Sequence, residues 1–162
     1  MFRSGVFGLL SFSFVSALSV CAEMTFFAHD AKLNTGAKIG EGKEVGTGTV
    51  AKIDSMADKK FGGQWNIQFS GVMTVKAAGK HEFYLSSDDG SALFIDGRAV
   101  VMNDGLHGNV AVTDEAVLSA GPHQVNLLYF NNNGGHGLKA EVKAPGGQLV
   151  DLASACTPSS KK

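Results

Sequence analysis

The chain has 162 residues, of which 44% are hydrophobic, and its formal net charge is −1. At this length one domain with one core is expected, and the hydrophobic fraction is too high for a disordered chain. The near-neutral charge argues against nucleic acid or an anionic membrane as the main partner, because both require concentrated Lys and Arg. The 21 Gly and 3 Pro predict many turns, which favours an all-β fold over a helical one.

Residues 1–22 have the features of a secretory signal peptide. Arg3 provides a positive start, and Val6–Val20 is an apolar run without a charge. The run is too short to span a bilayer comfortably, so no transmembrane segment is predicted and cleavage is expected after Ala22. The alternative is a lipoprotein signal with an acylated Cys21, although the valine before that cysteine fits the lipoprotein pattern poorly. In either case the protein is predicted to be secreted, periplasmic or on the cell surface.

Cleavage after Ala22 leaves Cys156 as the single cysteine. A secreted domain with one cysteine has no internal disulfide, so its hydrophobic core must stabilise it. The predicted organisation is one β domain over residues 23–152, followed by a C-terminal tail over residues 153–162. In that tail Cys156 is a free thiol, an intermolecular link or a residue without a role.

The first part of the mature chain has a weak pattern. An early strand is expected from Met24, and between Ala31 and Gly63 only Thr47–Ile53 has the pattern of a strand. The rest of this segment is rich in Gly and Lys. A long loop and a short helix over Ser55–Lys60 are therefore predicted.

From Trp65 onward, apolar and polar residues alternate with a period of two, as in half-buried strands. Asp96-Gly97 accepts positive φ at both positions and predicts a two-residue hairpin. The strands are expected around the apolar residues of these segments: Ile67–Val75, Phe83–Leu85, Leu93–Ile95, Ala99–Met102, Val110–Val112, Ala116–Leu118, Val125–Tyr129, Leu138–Val142 and Leu149. Eight or nine short strands separated by turns predict an antiparallel β-sandwich or barrel.

Recognisable enzyme motifs are missing from the sequence. It contains no Gly-x-Ser-x-Gly, phosphate-loop, dinucleotide or His-Glu-x-x-His motif, so the protein is predicted not to be an enzyme. The five His are scattered, and a zinc site is not favoured. His81 and His123 each follow a glycine turn, where a hydrogen bond to the turn backbone is expected.

Asp88 and Asp89 are adjacent carboxylates between two predicted strands, with no Lys or Arg near them in the sequence. One interpretation is a solvated acidic turn in which Asp89-Gly90 makes the bend. The other is a Ca²⁺ site, because Ca²⁺ takes about six to eight oxygens and two carboxylates with loop carbonyls supply part of that set. Such a site needs a second loop rich in amide oxygens. Asn131–Gly137 is the candidate, provided that the fold brings the two loops together.

Several segments together resemble the protective-antigen-fourteen (PA-fourteen) domain, the β module of anthrax toxin protective antigen and yeast flocculin adhesins. The resemblance covers Trp65–Gly147 well and Met24–Gly63 only by position. The matching segments are the predicted central hairpin and the stretches after it: Phe83–Gly97, Val100–Gly108, Leu118–His123, Leu128–Phe130 and Ala144–Gly146. Each segment alone is weak, but their combination is specific.

The resemblance implies a β-barrel or sandwich that binds glycans in the lectin members of the family. In those lectins two aspartates, often joined by a cis peptide bond, hold a Ca²⁺ ion that sugar hydroxyls complete. The pair corresponds to Asp88 and Asp89 in this chain. An Asn side-chain oxygen corresponds to Asn131, and two backbone carbonyls correspond to Asn133 and Gly135. The resemblance therefore implies these five residues as metal ligands, with Asp88, Asp89 and Asn131 also at the sugar.

The sequence departs from the lectins at Gly135, where the yeast adhesins carry a Trp beside the sugar. Without that aromatic platform, a low sugar affinity or a different specificity is expected. The first functional hypothesis is an exported module that binds carbohydrate or glycoconjugates through Ca²⁺. The alternative is a non-catalytic structural or protein-interaction module of the cell envelope, with envelope proteins as partners and a structural or vestigial ion site.

Overall fold

The computed structural model describes residues 22–54, 61 and 63–159. Within these residues the chain forms eleven strands in two antiparallel sheets that pack into a sandwich. The strands are β1 (Met24–Asp30), β2 (Lys43–Val50), β3 (Gln64–Val75), β4 (Gly79–Asp88), β5 (Ser91–Ile95), β6 (Arg98–Asn103), β7 (Val110–Leu118), β8 (Gly121–Asn132), β9 (Gly137–Lys143), β10 (Leu149–Asp151) and β11 (Cys156–Pro158). Short 3-10 helices lie at Gly36–Lys38 and Ala153–Ala155. The predicted all-β antiparallel sandwich is confirmed.

The chain passes from one sheet to the other where it leaves β4. The first sheet has the strand order β2-β1-β3-β8-β5-β6, with β11 paired to the far end of β3. The second sheet has the order β10-β9-β4-β7. Asp89 and Gly90 carry the chain from β4 in the second sheet to β5 in the first. This crossing puts the acidic pair at one end of the sandwich, between the two sheets.

The predicted alternation of apolar residues builds the core. In β3 the side chains of Trp65, Ile67 and Phe69 are buried, whereas Thr74 is exposed. Each large apolar side chain that is buried in this way stabilises the fold by roughly 1.5–3 kcal/mol. The rings of Trp65 and Tyr129 meet edge to face, with centroids 5.1 Å apart. This contact joins β3 to its neighbour β8 and so anchors the strand that leads into the second predicted loop.

The predicted hairpin at Asp96-Gly97 is confirmed. The two residues have φ angles of 51° and 77°, and they join β5 to β6 through the pairing of Ile95 with Arg98. Two consecutive positive φ angles match the twist of the adjoining strands, and Asp followed by Gly is suited to them. The backbone N–H of Gln124 donates to Asp96 Oδ1 over 2.8 Å, which ties the hairpin to β8.

The early strands differ from the prediction. β2 covers Lys43–Val50 and therefore begins and ends before the predicted Thr47–Ile53. Its apolar pattern is weak because Gly46 and Gly48 lie against the ring of Phe26, so glycines rather than apolar side chains cover that ring. The helix predicted over Ser55–Lys60 lies outside the described residues, as does the signal peptide except for its last residue. No helix in the described part of the chain is long and apolar enough to cross a membrane.

β7 is longer than the sequence predicts. Val110–Val112 and Ala116–Leu118, which the sequence predicts as separate strands, both belong to β7. The polar residues Thr113–Glu115 interrupt the apolar pattern because β7 is an edge strand and most of its side chains face solvent. An exposed edge strand needs no continuous apolar face.

Residues 153–158, which the sequence predicts as part of a tail, pack onto the domain. Cys156–Pro158 forms β11 and pairs with Gly71–Met73. Cys156 is a free, buried thiol, and burial raises its pKa to about 12. The backbone N–H of Glu23 donates to the Cys156 carbonyl over 3.0 Å. The two ends of the described chain therefore meet, while the domain boundary itself stays a prediction.

Candidate metal centre

The acidic pair lies where β4 ends. Asp88 is the last residue of that strand, and β5 starts two residues after Asp89, at Ser91. The peptide bond between Asp88 and Asp89 is cis, as the family resemblance implies. Asp89 is 8% exposed, and Asp88 is half-buried. The two carboxylates are thus held at the mouth of the sandwich instead of in an open, fully solvated turn.

Backbone N–H groups from two other segments hold the carboxylate of Asp89. The N–H of His107 donates to Asp89 Oδ1 over 3.1 Å, and the N–H of Asn132 donates to Asp89 Oδ2 over 2.8 Å. No ion pair joins Asp88 or Asp89 to a Lys, Arg or His within the described residues. Hydrogen bonds from neutral donors orient a carboxylate without cancelling its charge. The negative charge of the pair is therefore left for another partner.

The hydroxyl of Tyr129 joins three strands directly behind the acidic pair. It donates to the Asp88 carbonyl over 2.6 Å and accepts from the backbone N–H of Gly137 over 3.0 Å. Burial raises the pKa of Tyr129, and the negative charges of Asp88 and Asp89 raise it further. The phenol consequently stays protonated and continues to donate at neutral pH. It fixes the end of β4 to β8 and to the start of β9.

Asn131 lies on the same face of β8 as Tyr129, two residues nearer the end of the strand, because side chains alternate along a strand. It is 2% exposed. Its Nδ2 donates to the Gly63 carbonyl over 3.2 Å, but its Oδ1 has no hydrogen-bond partner among the described residues. A buried acceptor without a partner costs about 1–3 kcal/mol. Asn131 Oδ1 is therefore an oxygen that a bound cation would satisfy.

The second predicted loop reaches the acidic pair. Asn133 and Gly134 have φ angles of 98° and 84°, and these left-handed conformations turn the chain between β8 and β9. The turn brings Gly135 against Asp88, so that a Cβ atom at Gly135 would lie 3.1 Å from Asp88 Oδ2. The two loops that the sequence predicts as partners therefore lie side by side at one end of the sandwich.

Close packing beneath the pair explains the glycine that follows it. The Gly90 carbonyl accepts from the Phe130 N–H over 3.0 Å. A Cβ atom at Gly90 would overlap the Phe130 ring and would lie 2.8 Å from the Gly105 carbonyl oxygen. Gly90 thus allows the loop of the acidic pair to pack directly on β8.

Sequence reasoning missed a third and a fourth loop at this end. The Asp104 carboxylate accepts from Thr35 Oγ1 and from the Gly36 N–H, each over 2.6 Å. Asn132 Nδ2 donates to Asn34 Oδ1 over 3.2 Å. These bonds tie the loop between β1 and β2 to the loops around Asp89. Single polar residues in loops carry no periodic pattern, and backbone donors carry no sequence signal at all, so nothing in the sequence points to these partners.

The donor set of this centre consists of oxygens. The carboxylates of Asp88 and Asp89 lie beside Gly135 and the Asn132 N–H, and the amide oxygen of the adjacent Asn131 is buried without a hydrogen-bond partner among the described residues. The described residues contain no cluster of three or more His, Cys, Asp or Glu, so nitrogen and sulfur ligands for a transition metal are not gathered there. Oxygen donors of mixed type suit Ca²⁺. The residues present therefore fit the ion that the family resemblance implies.

The architecture is shared with solved structures of other proteins. The PA14 domain of the MpAFP antifreeze protein gives a TM-score of 0.71 at 18% identity, over 91% of this chain and 95% of that one. The PA14 sugar-binding domain from an RTX adhesin gives 0.69 at 18%, over 85% and 98%. The epithelial adhesin 9 A domain from Candida glabrata, in complex with Galβ1-3GlcNAc, gives 0.62 at 10%, over 84% and 89%. At these identities the likeness shows the fold alone.

A comparison with curated proteins found no match to the sequence. A comparison with family models did find one: the PA14 domain model matches residues 24–152. This range contains Asp88, Asp89 and Asn131, together with every strand from β1 to β10. The resemblance that the sequence motifs indicated is confirmed, and the chain belongs to the PA14 domain family.

Proposed function

We propose that this chain is an exported carbohydrate-binding module in which a Ca²⁺ ion binds sugar hydroxyls. Asp88, Asp89 and Asn131 would hold the ion, together with the carbonyls of Asn133 and Gly135. The observation that carries the proposal is the buried Asn131 Oδ1, which lacks a hydrogen-bond partner among the described residues. Asn131 lies near the end of β8, next to Asn132, whose N–H donates to the Asp89 carboxylate. The sugar-binding domain of the RTX adhesin and the glycan complex of the Candida adhesin support the ligand class.

When bound, Ca²⁺ supplies exchangeable coordination positions beyond those that the protein fills. It takes about six to eight oxygens, and the five proposed ligands leave room for hydroxyls of one sugar. The chain's own residues orient the donors. The backbone N–H groups of His107 and Asn132 fix the Asp89 carboxylate, and Gly135 leaves the space above Asp88 open because it has no side chain.

The test is glycan binding with and without Ca²⁺. The wild-type protein is applied to a broad glycan array in millimolar CaCl₂ and in excess EDTA, beside the double variant Asp88→Asn, Asp89→Asn. We expect retention on glycans in Ca²⁺ and its loss in EDTA and in the double variant. Asp114→Asn is the control, because it makes the same Asp→Asn change, with the loss of one carboxylate charge, at an exposed position on β7. Glycan retention by the double variant, equal to that of the wild type, would contradict the proposal.

Export is a separate part of the proposal. The adhesin relatives support a location outside the cytoplasm, and cleavage after Ala22 is the predicted route, with acylation of Cys21 as the alternative. Mass spectrometry of the protein isolated from its native cells distinguishes the two. A mature chain that begins at Glu23 supports cleavage by a signal peptidase, a lipid-modified Cys21 supports the alternative, and an intact Met1 contradicts export through this segment.

A second candidate function is a structural or protein-interaction module of the envelope. Gly135 favours it, because a glycine replaces the aromatic platform that the lectin resemblance implies. Ca²⁺ would then stabilise the fold without presenting hydroxyl-binding positions to a sugar. A rise of the melting temperature in Ca²⁺, combined with no retention on any glycan, would favour this function over the first. Catalysis is not proposed, because adjacent carboxylates cannot stand on opposite sides of a glycosidic bond.

A further inference from the structure

A groove begins at the candidate metal centre and continues along the outer face of the second sheet. Its volume is about 430 Å³, and Asp88 and His136 line the end next to the metal centre. Tyr84, Asn109 and Lys139 line the rest. Sites for small molecules have volumes of about 300–1,000 Å³ and combine aromatic surface with a few polar groups. The groove has the size and the composition of such a site.

The spacing along β4 sets the length of the groove. Tyr84, Ser86 and Asp88 alternate along the strand with Phe83, Leu85 and Ser87 and therefore share the outer face of the sheet. On that face Tyr84 and Asp88 are half-buried, and Ser86 is 7% exposed. Tyr84 and Asp88 are four residues apart, which corresponds to roughly 13 Å along a strand. This separation of the two backbone positions exceeds the length of one pyranose ring, which leaves room for more than one sugar unit along the groove.

The middle of the groove is lined by small side chains, which do not obstruct it. Ser86 lies between Tyr84 and Asp88, and its hydroxyl donates to Asn109 Oδ1 over 2.8 Å. Gly137 pairs with Asp88 across the strands and has no side chain to close that end. The amide of Asn109 is fixed by this bond, so its nitrogen is left to donate to a ligand at the edge of the groove.

The far end of the groove combines an aromatic ring with a cation. The Nζ of Lys139 lies over the Tyr84 ring, 5.4 Å from its centroid, and 2.9 Å from Glu141 Oε2. A sugar that packs on this face of the ring would displace the ammonium group, whose side chain is 53% exposed, toward the edge of the ring. The Tyr84 ring is half-buried. An aromatic ring packs against the apolar C–H face of a sugar, while nearby ammonium and amide groups donate to its hydroxyl oxygens. These are the two kinds of contact that a sugar ring requires.

We propose that this groove is a second sugar subsite and that the ligand is an oligosaccharide of at least two units. One unit binds at the Asp88–Asp89 centre, and a following unit packs on Tyr84 with Lys139 and Asn109 at its hydroxyls. The inference rests on the proposed function and deepens it. Gly135 cannot supply an aromatic contact beside the ion. In this proposal Tyr84 supplies that contact to the next unit of the oligosaccharide.

The test is the dependence of affinity on glycan length. Glucose, galactose and mannose, with their α- and β-linked oligomers of two to five units, are titrated by calorimetry in millimolar CaCl₂. For the sugar series that binds, we expect the affinity to rise about tenfold or more from one unit to three. Tyr84→Ala should remove this rise while leaving the monosaccharide affinity and the Ca²⁺-induced rise in melting temperature unchanged.

Two further variants keep the result interpretable. Phe94→Ala truncates another half-buried aromatic residue on the other sheet and should preserve the length dependence. Lys139→Met keeps the exposed stem, removes the charge without risk to the core and should reduce the rise several-fold. A length dependence that is missing in the wild type, or unchanged in both groove variants, overturns the subsite alone. If no sugar binds in Ca²⁺, the proposed function and the subsite fail together.

Discussion

Each end of the sandwich has an aspartate at a turn, and the two ends differ in the partners of its carboxylate. At one end, Asp96 Oδ2 lies 2.6 Å from His123 Nδ1, and Asp96 Oδ1 accepts from the Gln124 N–H over 2.8 Å. The other ring nitrogen of His123 donates to the Ser119 carbonyl over 2.9 Å. The hydrogen bond to His123 lowers the pKa of Asp96, and the same bond raises the pKa of His123. At this end, which we call the complete end, the fold itself supplies His123 as the partner of the Asp96 carboxylate.

The opposite end, which we call the incomplete end, contains Asp88 and Asp89 without a cationic partner among the described residues. Asp89 receives two backbone N–H groups but no cation from the described residues, and the neighbouring Asn131 has a buried oxygen without a partner. The fold thus builds the same element, a carboxylate at a strand end, once with an internal counter-charge and once without. This difference is the reason that we propose a cation site at the incomplete end.

The largest effect on folding is expected from overfilling the incomplete end. Gly90→Ala should lower the free energy of unfolding by about 2–3 kcal/mol, because the added methyl group overlaps Phe130 and the Gly105 carbonyl. Gly108→Ala is the matched control, since nothing lies within 4 Å of a Cβ there. Urea denaturation without Ca²⁺ measures both. Equal, small losses would show that the two loops do not pack together as described.

Asn131 and Asn66 provide a smaller and more specific comparison. Asn66 is fully buried and both of its side-chain atoms are paired, with Gly40 N–H and with the Glu41 carbonyl. Asn66→Ala should cost about 2 kcal/mol of folding free energy without Ca²⁺, and Asn131→Ala about 1 kcal/mol or less.

For Ca²⁺ affinity we expect the larger effect at Asn131 and not at Asn66. Asn131→Ala should weaken Ca²⁺ binding about tenfold, whereas Asn66→Ala should leave the affinity unchanged. Urea denaturation and Ca²⁺ titrations on both variants check the two halves of this prediction. Equal Ca²⁺ affinities for Asn131→Ala and the wild type would remove Asn131 from the centre.

The complete end should respond to pH. The pKa of His123 is raised from 6.5, so its contribution to stability is full below that value and is lost as the pH rises through the raised pKa. The pKa of Asp96 is lowered from 3.8, so its contribution is present above that value and is lost as the pH falls through the lowered pKa. The pair therefore stabilises the fold most between these two values.

His123→Gln removes the titration while keeping a polar side chain. Melting temperatures of the wild type should decline between pH 6 and pH 9 by an amount that corresponds to about 1 kcal/mol, which is modest because Asp96 is half exposed. The variant should show a flatter profile over the same range. Identical slopes for the two proteins would contradict the assignment of this pair as the charge contact at the complete end.

The smallest effect is expected at Cys156, beside the complete end. Cys156 pairs with Met73, which pairs with His123 on its other side. A buried thiol with a pKa of about 12 should not react with a thiol reagent in the folded protein. Labelling should be absent at pH 8 and complete in denaturant. Rapid labelling of the native protein would show that β11 opens readily.

The sequence predicts the parts of the molecule whose signals are local. The alternation in β3 and the Asp96-Gly97 hairpin follow from side-chain period and turn chemistry. β11 could not be predicted, because a strand of three residues that includes Pro158 has no period. β2 was misplaced because the glycines that cover Phe26 resemble a loop.

The residue types of the candidate centre could be predicted from the sequence, but the hydrogen bonds that hold the Asp89 carboxylate could not. The acidic pair and the asparagine loop stand out in the sequence, and the resemblance to the family links them. The N–H groups that hold Asp89 belong to His107 and Asn132, and backbone donors are shared by nearly every residue. Only the folded chain shows which of them face the carboxylate.

A calorimetric titration of Ca²⁺ into the purified protein tests most directly whether the incomplete end is a cation site. One ion per chain should bind with a Kd of about 10⁻³ M or tighter, and the heat should vanish in the Asp88→Asn, Asp89→Asn variant while Asp114→Asn retains it. A folded wild-type protein that takes up no Ca²⁺ at 10 mM, well above about 10⁻³ M, would contradict the account.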